Sequence, residues 1–231
     1  ELLKKNKEIN WHPDHIKEGR FKYILESAPD WTISRNRFWA TALPVWKCKK
    51  CKEVTIIGSV KELQEKALGK VPNNVDLHKH VVDKIQIKCE VCKGSMTRIS
   101  EVIDCWFESG SMPYAAKHYP FENKEWFKEN FPADFVSEYI GQVRAWFYYM
   151  HVLGVILFEK SPFKHVMVTG NILAADGAKM SKSKENYPDP GIIFDKYGAD
   201  ALRFYLMQSS LMKAEDINFN EEAIKEVYRK I

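Results

Sequence analysis

Four of the five cysteines stand in two pairs, Cys48-Lys-Lys-Cys51 and Cys89-Glu-Val-Cys92. Each C-x2-C knuckle can turn two thiolates toward one point, and four thiolates make a closed tetrahedral zinc site with no position open for catalysis. Zinc is therefore expected as a structural ion, with Cys48, Cys51, Cys89 and Cys92 as its ligands. The interval between the pairs is about 37 residues, longer than the roughly 15 to 20 of the common zinc ribbon, so the chain between them must form a folded excursion. The competing reading is a redox dithiol or a disulfide pair, which a reducing compartment disfavours. Cys105, between Asp104 and Trp106, is expected to be a packed thiol.

A second group of reactive residues is Asp176-Gly177-Ala178-Lys179-Met180-Ser181-Lys182-Ser183. It places two ammonium groups and two hydroxyls on a loop that follows a buried strand and Gly170. Such groups suit phosphate chemistry. When a carboxylate attacks the α-phosphorus of ATP, negative charge gathers on the departing pyrophosphate, and lysines can stabilise it more in the transition state than in the ground state. By spacing alone the same residues also read as a solvated, lysine-rich turn.

These residues need a scaffold. From Ile99 onward, short strand patterns alternate with helical ones, which predicts βα units and a parallel sheet. Asp134–Ser137 and His165–Thr169 read as strands, Ile140–Phe158 as one helix between them, Ile192–Tyr197 as a short helix stopped at Gly198, and Ala199–Ser209 as another. Asn220 is expected to cap a last helix, with Glu221 and Glu222 in its first turn. Residues 47–98 have a different texture: the four cysteines, the β-rich Val54–Ile57 and Val81–Ile87, and a helical stretch, Val60–Leu68. Trp31–Ser34 reads as a short strand. The expected division is a returning segment at 1–46, a zinc-knuckle insertion at 47–98, the second half of an α/β nucleotide fold at 99–209, and the start of a helical domain at 210–231.

The bulk numbers agree with a folded protein. Of 231 residues, 45% are hydrophobic and 29% charged, and 35 basic side chains against 31 acidic ones leave a net charge of +4. That profile excludes global disorder. The small excess permits an anionic partner without requiring one. The longest apolar stretch, Ile140 to Phe158, contains Gln142, Arg144 and His151, so it reads as a buried helix and not as a membrane span.

Lys179-Met-Ser-Lys-Ser183 resembles the second signature of the class I aminoacyl-tRNA synthetases. Three further segments resemble the isoleucine-activating branch of that family in order: Trp31-Thr-Ile-Ser-Arg-Asn-Arg-Phe-Trp39, Val102-Ile-Asp-Cys-Trp-Phe-Glu-Ser-Gly110 and Glu138-Tyr-Ile-Gly-Gln-Val-Arg-Ala-Trp-Phe147. The resemblance implies the C-terminal half of a Rossmann-like catalytic domain with a small zinc-ribbon-like insertion. It implies activation of isoleucine with ATP and magnesium, then transfer to tRNA(Ile), in the cytoplasm. It assigns ATP binding to Lys182 with help from Lys179 and Ser181, adenylate contacts to Glu138 and Gln142, and walls of the amino-acid pocket to Trp106 and Trp146. Sequence departures at Tyr139, Gly141, Ala40 and Ala145 leave no adenylate contact to assign at 139 or 141. A carboxylate at the C-terminal end of a parallel strand is also where an open α/β sheet places ligand contacts.

The family's other signature, His-x-Gly-His, does not occur here. The resemblance therefore expects the first catalytic half and the editing domain, which answers a discrimination between isoleucine and valine of one methylene, to lie before residue 1. It expects the anticodon domain after Ile231, and no activity from this chain by itself. The alternatives are a synthetase for valine, leucine or methionine, which shares the lysine loop, and a non-catalytic zinc- and RNA-binding module whose affinity would fall steeply with salt.

Overall fold

The computed structural model describes residues 1–231. The chain divides into two compact units, Glu1–Ala28 together with Gly110–Ile231, and Pro29–Ser109.

The first unit is organised by three parallel strands: β1 (Asn10–His12), β2 (Ala133–Tyr139) and β3 (Phe163–Thr169), with β3 in the centre. Val166 on β3 sits opposite Trp11 on one side and Val136 on the other. Parallel neighbours need a crossover, and between β2 and β3 it is α1 (Trp146–Phe158), an almost wholly apolar helix. Its buried face includes Phe147, Met150, His151 and Leu153, and it covers the sheet through the edge-on rings of Trp11, Phe147 and Phe163. His151 is fully buried, and its Nε2 donates to the Leu2 carbonyl at 3.0 Å. Its Nδ1 has no partner, so the ring is held neutral, and burial pushes its pKa down to about 4.

The helix expected over 140–158 is shorter. Ile140–Arg144 forms a tighter helical turn, and Ala145 (φ −134°, ψ −108°) breaks the path before Trp146. The break lets the chain leave the end of β2 and turn back over the sheet, a tertiary demand that apolar periodicity does not report.

After β3 the chain passes Gly170, whose amide donates to the Leu211 carbonyl at 2.9 Å. A methyl group at 170 would land on the Glu215 carbonyl, so only glycine permits this approach. Two short strands, β4 (Ile172–Leu173) and β5 (Ile217–Asn218), then pair in parallel. Next come α2 (Pro190–Gln208), interrupted at Gly198 where the sequence predicts a stop, and α3 (Glu221–Tyr228). Ile193, Tyr197, Ala201, Tyr205, Ile224 and Val227 form their shared core. As expected, Asn220 caps α3, its side chain accepting the Ala223 amide at 3.2 Å.

The second unit carries a four-stranded antiparallel sheet in the order Val54–Ile56, Val45–Cys48, Ser95–Arg98, Gln86–Lys88. Its core is small: Trp46, Ile57, Leu63, Ile87 and Met96, completed by Cys48 and Cys89. Helix Val60–Lys66 starts at Ser59, which accepts the Glu62 amide at 3.1 Å while Glu62 accepts the Gly58 amide at 2.8 Å, a reciprocal cap. The β-rich stretch at 81–87 is only partly a strand, because Lys79–Val82 is helical and pairing starts at Gln86. The Asp76 carboxylate accepts the His78 amide at 2.8 Å just before this turn, which itself has no side-chain cap. Ser34–Arg35, at the end of the stretch read as a strand, pairs antiparallel with Val102–Ile103.

Candidate active site and metal centre

The two cysteine knuckles are built alike. The amide of Cys48 donates to the Glu53 carbonyl and that of Cys89 to the Gly94 carbonyl, both at 2.8 Å. Lys52 and Lys93 occupy the same position after the second cysteine of each pair, both with left-handed backbone (φ 65° and 58°). Each donates its amide back to the first cysteine's carbonyl. Two matching loops thus bring the four sulfurs together. Their ligand atoms lie within 4.8 Å of one another, with Cys48 Sγ to Cys92 Sγ at 3.4 Å and Cys51 Sγ to Cys89 Sγ at 3.6 Å. A tetrahedron of thiolates roughly 2.3 Å from zinc has sulfur–sulfur edges of roughly 3.8 Å, so the cluster has the size of a metal site.

Electrostatics point the same way. The amides of Cys51 and Lys50 hold the Cys48 thiol down at about 6. The Glu53 amide favours a thiolate at Cys51, but desolvation and the neighbouring sulfurs outweigh it and push that thiol up to about 12. Four sulfurs this close cannot all ionise without a cation among them. The intervening excursion of 37 residues is the strand Val54–Ile56, the helix Val60–Lys66, the turn at Lys79–Val82 and the strand Gln86–Lys88.

In the first unit, Glu138 is exposed at the penultimate position of β2, opposite Val168 of β3. The ring of Tyr139 fills the space that a side chain at Gly141 would take, so the two departures from the family pattern accommodate each other. Gln142, half-buried, accepts the Trp146 amide through Oε1 at 3.1 Å. An amide N–H can only donate, so the oxygen is the committed atom and the Gln142 NH2 group is left to donate. Trp146 is half-buried and lines an apolar cavity of about 390 Å3 with Met112, Phe135, Val136 and Met150. Trp106 is half-buried on the helix Cys105–Gly110 of the other unit.

The lysine loop leaves the carboxyl end of β3, the strand beside β2, so it begins next to the strand end that carries Glu138. A hairpin opens it: Leu173 bridges to Lys179, and the amide of Gly177 donates to the Ala174 carbonyl at 2.8 Å. Lys179 and Lys182 are exposed, and Ser181 is half-buried with its hydroxyl 3.3 Å from that of Ser183. Met180 is turned the other way, into an apolar cavity of about 160 Å3 with Ile172, Tyr187, Ile193, Leu206 and Phe219. Asn186 holds both sides of Met180, donating to the Lys179 carbonyl at 3.1 Å and accepting the Ser181 amide at 2.9 Å. Neither Met180 nor Asn186 is singled out by residue type or spacing. Nor does it reveal that Asp104, 2% exposed, accepts from Trp31 Nε1 at 2.8 Å and pairs with Arg35 at 3.0 Å. That contact joins two of the motif segments through one buried carboxylate.

Comparison with known proteins agrees with this arrangement. The family model for class I tRNA synthetases (I, L, M and V) matches residues 1–219. The isoleucine–tRNA ligase of Treponema denticola is 54% identical over 230 residues, 100% of this chain and 21% of that protein. The cytoplasmic isoleucine–tRNA ligase of Saccharomyces cerevisiae is 54% identical over 222 residues, 96% of this chain and 20% of that protein. The chain thus spans about a fifth of the length of these curated relatives. Among solved structures, the LeuRS of Agrobacterium radiobacter, in a ternary complex with tRNA and LeuAMS, matches with TM-score 0.61 and 20% identity over 93% of this chain and 30% of that one. The Mycobacterium tuberculosis methionyl-tRNA synthetase, in complex with methionyl-adenylate, matches with TM-score 0.56 and 16% identity over 97% of this chain and 34% of that one. Both share the α/β fold. With a family match that runs through the parallel strands, the cysteine sheet and the lysine loop, this chain belongs to the class I tRNA synthetases.

Proposed function

We propose that this chain forms the second half of the adenylate site of an isoleucine–tRNA ligase, which joins isoleucine to ATP and passes the acyl group to tRNA(Ile). The observation that carries the choice of isoleucine is the 54% identity with isoleucine–tRNA ligases across the whole chain. The geometry supports the chemistry. Glu138 lies at the carboxyl end of a parallel strand, where its charge can meet the ammonium of the amino acid or a ribose hydroxyl. Gln142 offers a donor, suited to an oxygen of the amino acid or adenylate. Lys179 and Lys182, with Ser181, stabilise the pyrophosphate as charge builds on it. Magnesium accompanies the ATP phosphates and shares that charge. Trp146 provides an apolar wall suited to a branched aliphatic side chain, the role that the family resemblance also assigns to Trp106.

The four cysteines hold zinc as a structural ion, because their donor set is closed and a small core needs the constraint. The domain plan at 1–46, 47–98, 99–209 and 210–231 belongs to the same proposal, as does a cytoplasmic location like that named for several relatives. No helix of the chain is long and apolar enough to cross a membrane. The chain alone, which carries no His-x-Gly-His signature, is expected to be inactive.

Amino-acid-dependent ATP–pyrophosphate exchange by the longer polypeptide that contains this chain tests the reading. Exchange should be fastest, by kcat/KM, with isoleucine. A preference for valine, leucine or methionine would assign the site to a sister enzyme. Exchange with none of the four would favour the zinc- and RNA-binding alternative.

A further inference from the structure

We infer that Asn186 is a positioning residue for the lysine loop, acting through the peptide units that carry Lys179 and Ser181. The inference rests on the reading of the loop as the pyrophosphate-stabilising element. The side-chain amide of Asn186 stands where a neighbouring strand would stand: it donates to the Lys179 carbonyl at 3.1 Å and accepts the Ser181 amide at 2.9 Å. Those two groups flank Met180 and would otherwise face water. Pairing them fixes the peptide planes on both sides of Met180, which sends the methionine into its apolar cavity and leaves Lys179 and Lys182 on the exposed side.

The path of the chain is arranged to bring Asn186 there. Lys182–Lys184 makes one tight turn, with the amides of Lys184 and Glu185 donating to the Ser181 carbonyl at 3.2 and 3.1 Å. Glu185 then adopts left-handed backbone (φ 49°, ψ 32°), which is costly for a residue with a Cβ. That turn folds position 186 back against the strand side of the loop. Immediately after it, Asp189 caps α2 by accepting the Gly191 amide at 2.8 Å, so Asn186 links the loop to a rigid helix start. A loop that carries its cations on fixed peptides presents them with less reorganisation when charge develops.

The consequence falls on turnover, because the lysines act on charge that appears in the transition state. In the longer polypeptide, Asn186→Ala is expected to lower kcat for isoleucine-dependent exchange about tenfold and to change KM for ATP less than about twofold. Asn186→Asp keeps an acceptor for the Ser181 amide but loses the donor to Lys179, and should show the same split at a smaller loss. If Asn186 acts through Lys179, Asn186→Ala should cost less than about twofold when Lys179→Ala is already present. Unchanged kcat in both Asn186 variants, or a full additional loss in the Lys179→Ala background, would overturn the inference. So would losses in both variants that appear only in KM for ATP. Exchange by the parent with valine, leucine or methionine in place of isoleucine would overturn the isoleucine assignment alone, and the Asn186 comparison would be made with that amino acid. A parent with no exchange would remove both.

Discussion

The side-chain oxygen of Gln142 accepts the backbone amide of Trp146 at 3.1 Å, so a residue proposed to touch the adenylate also holds the start of the helix that carries the proposed wall of the pocket. The two duties use different atoms. Gln142→Glu retains an oxygen for the cap and removes the NH2 donor, whereas Gln142→Ala removes both. We expect Gln142→Glu to keep its melting temperature within a few degrees of the parent and to lower kcat/KM for isoleucine at least about tenfold, the loss of a donor to a charged or strongly polar group. Gln142→Ala should also cost about 1 kcal/mol of stability for the lost cap. Wild-type exchange kinetics in Gln142→Glu would remove Gln142 from the site.

The cysteine sheet should depend on its metal. Its buried core holds five large apolar residues and two of the four ligands, and about 10 kcal/mol or more of apparent binding free energy leaves a small zinc module with its ion. Prolonged treatment with a strong chelator, or Cys89→Ser, is expected to abolish the near-ultraviolet circular dichroism of Trp46 and to expose residues 45–98 to protease. Metal analysis of untreated protein should find about one equivalent of zinc. A metal-free protein with the Trp46 signal intact would contradict the structural role.

Stability should fall in mild acid through His151. Its pKa is lowered from 6.5 to about 4 by burial, so the unfolded chain binds the extra proton between those two values. Stability from this residue is complete above about 6.5 and is lost as pH falls toward about 4, by up to about 3 kcal/mol. His151→Met removes the titrating group from the same volume. The difference in urea midpoint between pH 7 and pH 4.5 should be smaller in His151→Met than in the parent, and an equal difference would show that His151 does not set it.

What the sequence conveyed and what it withheld follow from the range of each interaction. The cysteine pairs, the strand ended by Gly170, the stop at Gly198 and the Asn220 cap are local patterns, and the structure has them where local chemistry requires. The break at Ala145 and the helical turn at 79–82 are not so legible: the first is imposed by packing α1 over the sheet, and the second interrupts a stretch whose composition is β-rich. Asn186 and Met180 act through contacts made only when the loop closes, and an asparagine after a glutamate carries no compositional mark of that. The pairing of Asp104 with Trp31 and Arg35 spans about 70 residues, and only the fold brings them together. Arg98 belongs to the same class, its buried guanidinium meeting Asp83 and the carbonyls of Leu43 and Glu101.

The most direct test is isoleucine-dependent ATP–pyrophosphate exchange by the longer polypeptide with and without Lys182→Ala. The account predicts a fall in kcat of at least about a hundredfold, the scale of losing one charge-stabilising group in a transition state, with KM for isoleucine within about twofold. Exchange at the parental rate in Lys182→Ala would contradict it.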